Sequence, residues 1–105
     1  MRTAGPAAPF VCAVNIEELR RGLRSGEQPA LDRFLSGLRI APLGRHEGEL
    51  AGDWRRVYAA QGVTLSQADC LVAAAAASVG AALATGNPRH FPMPEVAVEH
   101  WPVGR

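Results

Sequence analysis

Lysine is absent from this 105-residue chain: all 11 of its basic residues are arginine. Beside a run of alanines this looks like the coding bias of a GC-rich genome, and any phosphate contact falls to arginine, whose planar fork suits bidentate geometry. Cysteine is nearly absent too. Cys12 and Cys70 lie far apart with no Cys-x-x-Cys, so neither a zinc knuckle nor a redox pair is written in the sequence. Charge of one sign is not in excess. A formal net charge of +1 excludes a polybasic tail or a strongly acidic mimic as the main idea. Long apolar runs are missing as well: none approaches the ~20 residues that span a bilayer, and the first nine residues hold no signal-peptide core. No internal repeat is visible. With 48% hydrophobic and 20% charged residues the chain is too apolar for intrinsic disorder, and its length admits one domain only. The expectation is a soluble, cytoplasmic protein with two buried, reduced thiols.

What is present has a clear order. Residues 1–9 (MRTAGPAAP) are small and Pro-punctuated and read as a poorly ordered leader, with the folded domain at 10–105. FVCAV, from Phe10, is a short apolar run of strand length. Asn15 is a preferred N-cap with Glu18 three residues on, so a helix is expected to start at Asn15, carry Ile16, Leu19 and Leu23 on one face, tolerate Gly22 in its interior and end at Gly26.

Leu31, Phe34, Leu35 and Leu38 recur at helical spacing from about Gln28, with Pro29 favourable in the first turn. RIAPL follows as a short strand. A third helix is expected from His46 to Gln61, with Leu50, Trp54, Val57 and Tyr58 as its apolar stripe and Gly62 as a left-handed cap. Ser66 opens a fourth helix, Asp69 stands at its third position as a capping-box acid, and the Ala-rich body can pack closely on a sheet. AALAT and EVAVEHW complete the strands, separated by the turn-rich loop GNPRHFPMP. Strands alternating with helices predict an α/β fold with a mainly parallel sheet.

In open α/β sheets, ligands bind beyond the carboxyl ends of the strands. Glu18, Asp69 and Asn87 map to that edge. Two carboxylates and an amide oxygen are hard donors that suit Mg²⁺ or Mn²⁺ better than zinc, and such an ion can activate water and clamp a phosphodiester. A structural account competes: capping and the helix dipole explain Glu18 with Asn15 and Asp69 with Ser66, and Asn87 can be a plain turn residue before Pro88. Arg20, Arg21 and Arg24 can meet RNA phosphates or simply form a solvated helix face, the favoured reading on a near-neutral chain. Arg89 and His90 flank Asn87 in its loop. His46 and His100 read as surface residues, and Trp54 and Tyr58 as core or dimer packing rather than base stacking.

VNIEELRRGL, GVTLSQADCLVAAAA and AALATGNPRHFPMPEVAVEHWP together resemble PIN-domain ribonucleases of the VapC toxin family. The matching segments are Glu18-Leu19-x-x-Gly22, Asp69 ahead of Ala73 to Ala77, and Thr85-Gly86-Asn87, closed by Phe91 and Trp101; the resemblance runs from about Val11 to Gly104. It implies a three-layer fold and a metal-dependent endoribonuclease toxin, often a homodimer, restrained by an antitoxin that docks near the site. By that resemblance Glu18 and Asp69 are catalytic, Glu18, Asp69 and Asn87 hold Mg²⁺ or Mn²⁺, and Thr85, Arg89 and His90 contact RNA. The family pattern opens with a strand ending in Asp, whereas the first acidic residue here is Glu17. The expectation is therefore an N-terminally truncated PIN-like fold, arising from a misassigned start or from degeneration. In the latter case the chain is expected to serve as an inactive antitoxin-binding or self-association module.

Overall fold

The computed structural model describes residues 10–100. The expected leader at 1–9, the domain's last residues and Trp101 lie outside the described residues. Within them the elements follow in the predicted order: β1 (Phe10–Val11), α1 (Ala13–Arg21), α2 (Gln28–Ser36), β2 (Arg39–Ile40), α3 (Arg45–Ala60), α4 (Gln67–Ser78), β3 (Leu83–Thr85), a 3₁₀ turn (Pro88–His90) and β4 (Val98–His100).

The first strand is shorter and the first helix earlier than expected. Cys12 is the N-cap, and Asn15 occupies the third helical position, where its Oδ1 accepts a hydrogen bond from the Cys12 N–H at 2.9 Å. Asn15 caps from inside the helix, in the role a capping box gives to Glu or Gln. The helix therefore takes Ala13 and Val14 out of the strand. At its other end Gly22 is the C-cap rather than an interior weak point, and Gly26 lies in the turn beyond. The middle of the chain agrees with expectation to within one residue at each helix end. Helix α3 closes on Gly62 and α4 on Gly80, each at positive φ. At Gly80 the N–H bonds to the Ala77 carbonyl while the Ala81 N–H reaches back to Ala76, so two orphan carbonyls are satisfied at once.

Helix α4 organises the packing. Cys70, Ala73 and Ala74 meet Ala51 and Trp54 of α3, together with Leu65, Phe91, Met93 and Val96, in the larger core cluster. Ala75, also on α4, packs with Cys12 and Ala41 in a second cluster, joined at its edge by Phe10, Val14, Leu43, Val72 and Val79. Methyl side chains let neighbouring elements approach this helix on two sides, and side chains at three- and four-residue intervals divide between them.

Every strand pairing is parallel, as expected, but the pairs form two ladders rather than one sheet among the described residues. Phe10 and Val11 pair with Arg39 and Ile40, and Leu83 to Thr85 pair with Val98 to His100. The smaller core cluster lies on the first ladder, while Leu83 and Val98 of the second pack against the larger. Helix α4 thus joins both. The α2 stripe is only partly covered: Leu31 is buried, whereas Phe34 is 58% exposed.

Candidate metal centre

Asp69 is the best-defined member of the expected site. Ser66 caps α4 by accepting the Asp69 N–H at 3.0 Å, as predicted. The reciprocal half of the capping box is not made. Instead the Asp69 carboxylate turns towards the loop after β3, where its Oδ2 lies 3.5 Å from His90 Nδ1. Capping therefore accounts for the backbone of Asp69 and leaves its carboxylate available.

The loop that delivers His90 is built from short-range bonds. Thr85 Oγ1 accepts the Asn87 N–H at 3.0 Å, and the His90 and Phe91 N–H groups bond to the carbonyls of Asn87 and Pro88. Phe91 is buried in the larger core cluster, which anchors the turn to the body of the protein. Thr85 thus shapes the turn that presents Asn87. Arg89 is exposed and has no acidic partner among the described residues, so its guanidinium is available to an anion.

Glu18 is placed differently from expectation. It is the sixth residue of α1, not a first-turn acid, so neither capping nor the N-terminal dipole explains it. It is exposed, and its charge acts on Arg21, whose Nε and Nη2 both donate to the Glu17 carboxylate at 3.0 Å. Helix α1 packs against α4, which puts Glu18 and Asp69 on neighbouring elements, but no hydrogen bond or ion pair joins Glu18 to Asp69, Asn87 or His90. Of the three arginines around it, Arg20 pairs with Asp32 on α2 at 3.0 Å and Arg21 with Glu17. The solvated-face reading holds for those two.

Among the described residues no three His, Cys, Asp or Glu side chains come together as a metal-holding group. The Asp69–His90 pair nonetheless offers two donors on an open surface, and Mg²⁺-type ions are often held by one or two protein donors with water and substrate phosphate completing the shell. That fit concerns Asp69 and its loop, not a closed carboxylate cage.

Sequence reasoning missed Glu47. The residue is only 6% exposed, and its carboxylate accepts the Gly44 N–H at 2.7 Å and also the Ser78 hydroxyl from the far end of α4. The Ser78 bond, then the Gly44 bond, hold its pKa below the usual 4.5 against the opposing cost of desolvation. The Gly44-x-x-Glu47 spacing signals the cap, but nothing local signals Ser78. Both cysteines are buried and free, as expected, and burial pushes the Cys70 thiol up, with Arg55 opposing and Asp69 adding to the rise. Trp54 is core, and its indole N–H donates to Glu95 at 3.1 Å.

The PIN domain family matches residues 2–97. Ribonuclease VapC10 of Mycobacterium tuberculosis (strain H37Rv) is 35% identical over 92 residues, covering 88% of this chain and 68% of that protein. The chain belongs to the VapC family of PIN domains. Its fold superposes on VapBC2 from Rickettsia felis, a complex bound to a promoter DNA fragment, with a TM-score of 0.78 and 27% identity over 90% of this chain and 75% of that one. VapBC-1 from nontypeable Haemophilus influenzae shares the fold with a TM-score of 0.81, at 19% identity over 95% of this chain and 79% of that one. The family match over residues 2–97 and the superposition over 90% of the chain make the α/β PIN fold that of this VapC chain. No helix among the described residues is long and apolar enough to cross a membrane.

Proposed function

We propose that this VapC chain is a metal-dependent endoribonuclease toxin acting on RNA phosphodiesters in the cytoplasm and restrained by an antitoxin, with self-association into a homodimer. The observation that carries the reading is the Asp69 carboxylate, released from capping and presented beside His90 in a family whose curated relative is a ribonuclease. When bound, Mg²⁺ or Mn²⁺ would supply Lewis-acid polarisation of the phosphodiester and an activated water. Asp69 is the principal ligand, with Glu18 and Asn87 contributing from the adjoining helix and loop. Thr85 fixes the turn, and Arg89 and His90 meet the RNA. Arg89, the unpaired cation of that loop among the described residues, draws a phosphate to the site electrostatically.

A second reading has an observation of its own. Because no three-donor group forms among the described residues, a PIN fold kept for antitoxin binding or self-association, without hydrolysis, fits the same surface. RNA incubated with the protein in Mn²⁺, Mg²⁺ or EDTA separates the two. The nuclease reading expects EDTA-sensitive cleavage that Asp69→Asn lowers by about 10²-fold or more, the scale of loss when a reacting group is misplaced. Cleavage that survives EDTA or Asp69→Asn overturns it. Absence of cleavage together with tight antitoxin binding establishes the second.

A further inference from the structure

Arg20, Arg21, Arg45 and Arg56 each pair with a carboxylate, whereas Arg55 on α3 has no such partner among the described residues. Its Nε–H instead donates to the main-chain carbonyl of Leu65, ten residues on, at 3.1 Å. Leu65 is buried in the larger core cluster, and its peptide unit leads directly into Ser66, the N-cap of α4. The plane of that peptide sets φ of Ser66. It thereby sets how the Ser66 hydroxyl oxygen accepts the Asp69 N–H at 3.0 Å and how the Ser66 carbonyl accepts the Cys70 N–H at 3.1 Å. Between Val63, whose N–H bonds to the Tyr58 carbonyl, and Ser66, the Arg55 bond is the one hydrogen bond that ties this connection to the body of the protein among the described residues. Arg55 is itself well anchored. It follows Trp54 and lies one turn beyond Ala51, both buried in the same cluster, so its side chain springs from fixed backbone.

We propose that Arg55 is a positioning residue for Asp69: through the Leu65 carbonyl it fixes the cap of α4, and with it the backbone from which the Asp69 carboxylate reaches the site. This deepens the nuclease reading and rests on it. The bond joins α3 to the start of α4, two helices that pack together over the larger core, so the carboxylate takes its place from α3 as well as from its own helix. A guanidinium suits the task. Its planar fork holds the N–H at a fixed angle, and a carbonyl accepting from a charged donor makes a stronger bond than one between neutral groups. The Cys70 thiol, pushed up chiefly by burial, is lowered by Arg55 and raised by Asp69, so both charges lie around the first turn of α4. A loosened cap is costly for chemistry, because a reacting group misplaced by about 1 Å can lose on the order of 10²-fold in rate.

Arg55→Met keeps the apolar stem and removes the donors, and Arg55→Lys restores a charged donor on a comparable stem. In the full chain with Mn²⁺, Arg55→Met is expected to lower kcat on RNA about tenfold with KM changed by less than about twofold, and Arg55→Lys to keep kcat within about threefold of the parent. Added to Ser66→Ala, Arg55→Met is expected to lower kcat by less than about threefold more, because both changes release the same cap. Amide hydrogen exchange supplies a readout independent of cleavage. In Arg55→Met the Asp69 N–H is expected to exchange about fivefold faster or more, while the Ala51 and Trp54 amides of α3 keep their protection. Unchanged Asp69 exchange, protection lost throughout α3, equal losses in the two Arg55 variants, a change in KM alone, or fully additive losses with Ser66→Ala each overturn the proposal. Failure of the nuclease reading is distinct: if the parent does not cleave RNA that reading falls by itself, and the Asp69 exchange rate still decides whether Arg55 holds the cap.

Discussion

Single side chains here separate into those that sequence pattern reveals and those that only folding brings into register. Asp69 was legible because Ser66-x-x-Asp69 is a local signature, yet the same signature suggested capping as its whole purpose. The structure divides the residue, assigning its N–H to the cap and its carboxylate to His90. Glu47 was not legible, because its partner Ser78 lies 31 residues away and neither residue type in isolation implies a buried bond. This bond gives a pH prediction. The folded-state pKa of Glu47 is lowered, so the ionised carboxylate stabilises the fold above the unfolded value, and that contribution is lost as pH falls through about 4.5 and below. Ser78→Ala removes the largest cause of the shift. Its stability deficit against the parent, measured by urea unfolding, should be greatest near neutral pH and shrink in acid. Trp54 gives a second test, since Trp54→Phe removes the indole bond to Glu95 together with part of the buried ring and should cost about 1–3 kcal/mol, against about 3–5 kcal/mol for Trp54→Ala in the core.

At the scale of elements, hydrophobic periodicity and punctuation placed α2, α3 and α4 closely, because Pro29, Gly62 and Ser66 act through their own backbone geometry. The boundary between β1 and α1 lies earlier than the sequence pattern predicts, for a related reason. Asn15 is a good cap from outside a helix and can also cap from its third position, and only the path of the chain decides between them. That shift bears on function by moving Glu18 out of the first turn. The pairing of strands into two ladders could not be read from segments of two or three residues, whose partners are chosen by tertiary packing. Helix α4 offers two checks of its own. Ser66→Ala should cost about 1 kcal/mol through the lost cap. Ala74→Leu should destabilise by about 1–3 kcal/mol, because that position is fully buried and an added isobutyl group must displace its neighbours. Both are measurable by chemical denaturation.

For the whole molecule, the decisive arrangement is one helix shared by two cores. Hydrogen exchange should accordingly be slowest in α4 and the facing turns of α3, and fastest in α2, whose Phe34 remains largely in solvent. The same arrangement equips the protein with a pair of natural reporters. Each core encloses one free thiol, Cys70 in the larger and Cys12 in the smaller, both shielded from any aqueous reagent while the structure stays closed. A disulfide-exchange dye therefore reads the opening of each half separately, with no label engineered in. If α4 makes the halves open as one, the two thiols will react with a single rate constant that responds equally to urea; two rates would mean that one half can loosen while its neighbour keeps its shape.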